Sequence, residues 1–209
     1  MKKILTLLLI LTLVLSMGIG SYADTSMEAE TIGTYSKEIT EKEYLEGMAR
    51  ELNITYDQAA LRNEMENMKY FSMGGIGTRG LDEVAKYKQV TRFLKINGSN
   101  SYLTMASEIK YAYSIPEGRA IEIIRVGAPL MSITGATSFH INGGGFNIEN
   151  FGTSARISQT ATLTFTITDS VGVSAGIGDI FSVDTSTSGE TIVTTVPRTF
   201  VMSIKLSEL

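Results

Sequence analysis

The chain has no cysteine, no tryptophan, one histidine and three prolines in 209 residues. The absence of cysteine excludes disulfides, a thiol nucleophile and thiolate metal sites. With a single imidazole besides, the ligands left for a metal are carboxylates, carbonyls and hydroxyls. That set suits calcium and not structural zinc. No cofactor and no metal site are expected, and stability must come from burial and hydrogen bonding alone. Charge is scarce too, at 19% of residues, with a net charge of −4. It is unevenly placed. Residues 24–72 hold eleven acidic and five basic side chains, a balance of −6, whereas residues 73–209 hold eleven of each. An acidic front beside a neutral body argues against nucleic acid or an anionic lipid surface as partner.

What the N-terminus does have is the pattern of an export signal. Lys2 and Lys3 precede an apolar run from Ile4 to Leu15, interrupted only by Thr6 and Thr12. Ser21-Tyr22-Ala23 then places small residues at the two positions that a signal peptidase reads, so cleavage before Asp24 is expected. A membrane span needs about 20 apolar residues, and Gly18-Ile19-Gly20 ends this run early. Residues 1–23 therefore read as a cleaved signal peptide, with a retained anchor as the alternative. The mature protein is expected to be secreted, extracellular or associated with the cell wall, and to keep no stable transmembrane segment.

Residues 24–38 are small, polar and acidic, and read as a flexible leader. Residues 39–71 read as a helical hairpin. Thr40 and Glu43 form a capping box, with Ile39 and Tyr44 as a hydrophobic staple. Tyr44, Leu45, Met48, Ala49 and Leu52 recur at helical spacing, and Asn53 suits a left-handed terminator. Thr55 and Gln58 repeat the box, and Ala59, Leu61, Met65 and Met68 mark a second helix. The rhythm is that of a DNA-reading helix-turn-helix, but the acidic balance opposes phosphate contacts. Residues 72–88 read as a glycine-rich joint followed by a short helix over 81–88.

From residue 89 the period becomes two. Leu103, Met105, Ile109, Tyr111, Tyr113 and Ile115 share one parity, and Thr104, Glu108, Lys110 and Ser114 the other. Leu163, Phe165 and Ile167 alternate with threonines, and Phe200, Met202, Ile204 and Leu206 with polar residues. Such strands bury one face and wet the other. Shorter candidates lie around 121–126, 130–133, 138–141, 146–148, 180–183 and 191–196. Asn97-Gly98 and Gly143-Gly144-Gly145 read as hairpin turns. The expected fold is mainly β with a small N-terminal helical part: an antiparallel β-sandwich or barrel of about eight to nine strands in residues 89–209, preceded by the hairpin.

Three motifs fail on context. Gly75, Gly77 and Gly80 spell a dinucleotide fingerprint, but a helix precedes it where a strand is required. Gly172, Ser174 and Gly176 spell a nucleophile elbow, but the segment is β-type and the only histidine comes before the serine. The order His140, Asp169, Ser174 matches another triad, with spacing too tight for two barrels. Glu149, Asp169, Asp179, Asp184 and Glu190 are candidate carboxylates for glycoside hydrolysis, which needs two of them across a cleft. The Ser/Thr-rich stretch from Ser154 to Thr195, with its glycine-rich middle and little charge, resembles in composition the membrane-inserting hairpins of aerolysin-like β-pore toxins. That resemblance implies a membrane-active protein as an alternative.

Two residues remain as candidate binding groups. Tyr102 lies opposite in parity to the buried-looking Tyr111 and Tyr113. His140 alternates with Phe139 and Ile141 on a half-exposed strand, and an imidazole is the side chain that senses pH. The leading expectation is a secreted, non-enzymatic binding or interaction protein of the extracellular space or cell envelope, with a protein or cell-surface ligand as partner. A membrane-active protein is the first alternative, and a secreted hydrolase using carboxylates or Ser174 is the second.

Overall fold

The computed structural model describes residues 26–27, 33–72, 82–95, 102–142, 144–167, 181–185, 191–195 and 197–209. The expected signal, the glycine-rich joint, the Asn97-Gly98 turn, Asp169 and Ser174 lie outside the described residues. Twelve strands, two helices and a C-terminal 3-10 turn are described.

The first sheet holds β2 (Gly33–Glu38), β3 (Glu83–Lys95), β4 (Tyr102–Ser114), β5 (Arg119–Val126) and β6 (Leu130–Thr134). β4 is its axis. β3 pairs along one edge over the whole length of β4, and β5 and β6 share the other. The second sheet holds β1 (Ser26–Met27), β7 (Ala136–Asn142), β8 (Phe146–Asn150), β9 (Ser154–Ile167), β10 (Phe181–Thr185), β11 (Thr191–Thr195) and β12 (Arg198–Lys205). β9 is the axis here. β8 and β7 follow each other along one edge, β12 and β11 along the other, all antiparallel. Among the described strands only β1 pairs in parallel, with β12.

The two sheets face each other over one apolar core. Leu103, Met105, Ile109 and Ile123 from the first sheet meet Ile157, Leu163, Phe165, Met202 and Ile204 from the second, all buried. Full burial of such a side chain is worth about 1.5–3 kcal/mol. At one end of the sandwich Arg92 of β3 donates to Ser203 O at 2.7 Å and pairs with Glu208 at 2.8 Å. Lys88, two turns of the pleat away, donates to the Leu209 carbonyl oxygen. Together they pin the 3-10 turn Leu206–Glu208.

The helices α1 (Glu41–Leu52) and α2 (Tyr56–Ser72) form the expected hairpin. Thr40 N–H donates to Glu43 Oε2 at 2.7 Å and Glu43 N–H to Thr40 Oγ1 at 3.2 Å, closing the capping box. Thr55 and Gln58 repeat it at 3.0 and 3.2 Å. Asn53 ends α1 at φ 52° and ψ 48°, the left-handed conformation that asparagine tolerates best after glycine. The hairpin covers the outer face of the first sheet through Tyr44, Leu45, Met48 and Ala59, which pack on Tyr87 of β3. The molecule is thus three layers: hairpin, first sheet, second sheet.

Several expectations are corrected. The leader contains β2, which pairs with β3 from Gly33↔Phe93 to Glu38↔Lys88. Residues 81–88 are not a short helix but the start of β3, where pairing on both edges overrides the helical preference of Glu83, Ala85 and Lys86. The β part therefore begins well before residue 89, and the hairpin is an insertion between two adjacent strands of one sheet. Lys110 and Ser114 do not face water, because the hairpin lies over that side of β4. On α2 the buried residues are Ala59 and Asn63, while Leu61, Met65 and Met68 are exposed.

β7 and β8, on either side of the hairpin turn expected at 143–145, each pair with β9 and form no hairpin with each other. β7 ends at Asn142↔Thr162 and β8 starts at Phe146↔Gln159, on the same edge of β9. Gly144 has φ +121°, and a Cβ on it would meet Thr160 O, so only glycine fits.

Candidate functional site

The second sheet turns a polar face outward. Along β9 the odd positions Ile157, Ala161, Leu163 and Phe165 are buried, so Ser158, Thr160, Thr162, Thr164 and Thr166 point to the other side. The register aligns them mostly with polar partners, Ile192 beside Thr166 and Val201 beside Ser158 being apolar. His140 of β7, Thr164 and Thr194 of β11 form one rank across three strands. Ser138 and Thr166 form the next, Asn142 and Thr162 another, and Thr160 and Thr199 of β12 a fourth. Within ranks, hydroxyls link neighbouring strands. Thr160 Oγ1 and Thr199 Oγ1 lie 2.8 Å apart, Ser138 donates to Thr166 Oγ1 at 3.1 Å, and Thr164 and Thr194 hydroxyls lie 3.4 Å apart.

Sheet geometry sets the spacing of this array. Strands lie about 4.8 Å apart, and alternate residues along a strand about 6.6 Å apart. Each hydroxyl is both donor and acceptor. The result is a repeating grid of groups that offer hydrogen bonds in both directions, flanked by one imidazole. Threonine serves here because its branched Cβ also suits the strand backbone.

The structure does not bring the two predicted binding residues together. His140 is exposed on the outer face of the second sheet. Tyr102 opens β4 in the first sheet, opposite Lys95 and Thr134, and shares the parity of Thr104 on that sheet's outer face. The two point away from each other across the sandwich. Of the candidate carboxylates, Glu149 stands exposed on β8 across from Arg156 of β9. Among the described residues no group of three or more histidine or acidic side chains is placed to hold a metal ion, and no helix is long and apolar enough to cross a membrane.

A second concentration of polar groups lies between the hairpin and the first sheet. Lys110 is fully buried and donates to Asn63 Oδ1 at 2.7 Å and Glu66 Oε2 at 3.4 Å. Asn63 in turn donates to Glu41 at 2.7 Å and to the Tyr87 hydroxyl at 3.0 Å. Arg125 of β5 donates to the Tyr44 hydroxyl at 3.1 Å and to Glu51 at 2.9 Å. Sequence reasoning missed this network, since Asn63 and Glu66 are not among the apolar positions that mark the second helix. The one signal was Lys110 itself, flanked by Ile109 and Tyr111. These groups pair with one another and tie the hairpin to the sheet.

Its titration has a readable sign. Burial pushes Tyr44 and Tyr87 up from 10.0, and pushes Tyr111 to about 12. Above pH 10 the unfolded chain releases these protons and the folded protein keeps them. Stability is therefore present below pH 10 and lost as pH climbs toward 12. Burial lowers Lys110 from 10.5. The unfolded state binds that proton more tightly, so this group adds stability as pH rises toward 10.5. Three tyrosines outweigh one lysine above that point. Urea midpoints are expected to fall steeply between about pH 10 and 12, and Tyr44→Phe is expected to flatten the fall. An unchanged slope in that variant contradicts the assignment.

No protein-family model, curated protein or solved structure matches this chain.

Proposed function

We propose that the protein is a secreted, non-enzymatic binding module of the extracellular space or cell envelope, and that it binds through the hydroxyl grid of the second sheet. One observation carries the reading: the ranks built on Thr160, Thr162, Thr164 and Thr166 of β9, with His140 and Thr194 on either side. Such a surface favours a ligand that repeats hydroxyls and amides at similar intervals, as an envelope glycan does. It works by many weak hydrogen bonds rather than by one deep pocket, and among the described residues the face carries no aromatic platform for stacking a sugar. The export pattern of residues 1–23 supports the location, and the acidic front end is compatible with a basic envelope surface.

Co-sedimentation with purified, insoluble cell-wall polysaccharide tests it. Thr164→Lys puts a long cation at the centre of the grid and is expected to weaken binding at least about tenfold, or 1.4 kcal/mol. Tyr102→Ala, on the opposite face, is expected to leave binding unchanged. Equal binding by both variants, or none by the parent protein, sinks the proposal. Release of dye from loaded vesicles at micromolar protein would instead support the membrane-active alternative.

A further inference from the structure

The hairpin leaves part of the first sheet uncovered. A cleft of about 180 Å3 opens between the end of α1 and strands β3 and β4. Its walls include Gly47 and Arg50 of α1, Gln89 of β3, Glu108 of β4 and Gly127 after β5. Two of these stand out by their lack of company. Among the described residues Glu108 makes no side-chain hydrogen bond or ion pair, and neither does Arg50. Nearby charges are matched: Glu51 with Arg125 at 2.9 Å, and Glu66 with Lys110 at 3.4 Å. Glu108 and Arg50 thus line the same small cleft without pairing with each other, beside Glu51, which also lines it and is held by Arg125.

The surroundings hold Glu108 in place. Its carboxylate lies against the Cα of Gly47, where a Cβ would overlap it. Gly127 N–H donates to the Glu108 backbone carbonyl at 2.8 Å, and a Cβ on Gly127 would come within 3.2 Å of that oxygen. Two glycines therefore let helix and loop close down on this residue. Gln89 stands directly opposite Glu108 in the β3–β4 register, on the same face of the sheet. Burial raises the Glu108 pKa, so its charge lacks full solvation, and the field of Arg50 is its largest offset.

We propose that this cleft binds a small zwitterion, a free α-amino acid whose ammonium group meets Glu108 and whose carboxylate meets Arg50. An ammonium satisfies an underhydrated carboxylate, and the guanidinium fork matches a second carboxylate in two hydrogen bonds. Size agrees: water takes about 30 Å3 in the liquid, so the cleft suits a ligand of roughly six heavy atoms. The site is separate from the hydroxyl grid and stands or falls independently of it.

The test is titration of the full chain with glycine and alanine, followed by backbone amide NMR. Methylamine and acetate serve as ligands carrying one charge each. Expected are saturable shifts at Gly47, Gln89 and Gly127 with a Kd on the order of 1 mM. Methylamine and acetate should bind at least about tenfold more weakly. Glu108→Gln and Arg50→Gln should each weaken glycine binding by a similar factor. Arg50 is exposed, so its replacement leaves the fold intact and reports on binding alone. No shift at about 50 mM glycine, equal shifts with methylamine, or unchanged binding in Arg50→Gln overturns the proposal.

Discussion

Replacing Asn63 with leucine is expected to cost about 3 kcal/mol of folding stability, measured by urea unfolding. Asn63 is 1% exposed and accepts the shortest hydrogen bond from Lys110, whose side chain is 0% exposed. Leucine fills the space and removes the acceptor. The ammonium then keeps only two contacts of 3.4 Å, to Glu66 and to the backbone carbonyl of residue 63, in a site that water does not reach. Breaking one side of a buried polar pair leaves the other side's desolvation uncompensated. The double variant Asn63→Leu, Lys110→Met is expected to recover to within about 1 kcal/mol of the parent, because an apolar pair of similar volume carries no such penalty. A double variant no more stable than Asn63→Leu would mean that the loss comes from packing and not from the stranded charge. Hydrogen exchange should localise the single variant's effect to α1, α2 and β3, leaving β9 protected.

Phe165→Ala is expected to cost about 3–5 kcal/mol, and to act on the whole molecule. Phe165 is 1% exposed near the C-terminal end of β9, in register with Phe139 and Val193 of the neighbouring strands. It belongs to the core shared by both sheets. Removing its ring leaves a cavity that two paired sheets cannot collapse around without breaking register. The urea midpoint should fall by roughly 1–3 M, at slopes usual for a small protein. Exchange should quicken in β4 and β9 together. A loss under about 1 kcal/mol would show that the sheets are not packed tightly at this point.

Legibility in the sequence followed the reach of the interactions involved. The capping boxes at Thr40 and Thr55 join residues three apart, so they could be read directly. β9 and β12 showed their two-residue period because one face meets the core and the other meets water. β4 gave half of its story. Leu103, Met105 and Ile109 pointed inward as expected, but the cover over Lys110 comes from Asn63, 47 positions earlier. No local pattern announces such a partner. The exposed Leu61 and Met65 misled in the same way, since the face of α2 that binds the sheet carries Asn63. Residues 83–88 lacked a clear alternation because both faces of β3 are partly covered there. The hydroxyl grid was half visible: the threonines of β9 stand in the text of the chain, while their alignment with His140, Thr194 and Thr199 exists only in the register.

The order of the strands along the chain bears on assembly. β2 to β6 occupy residues 33–134 and β7 to β12 residues 136–205, so, β1 aside, one layer is finished before the next begins. A polypeptide emerging from its N-terminus can complete the first layer, with helices over its back, while Val90, Leu103, Met105 and Ile109 still lack their cover. That greasy surface waits for β9. Until some thirty further residues have appeared, the half-built protein is at its most adhesive, and this interval is where chaperone capture or clumping would concentrate.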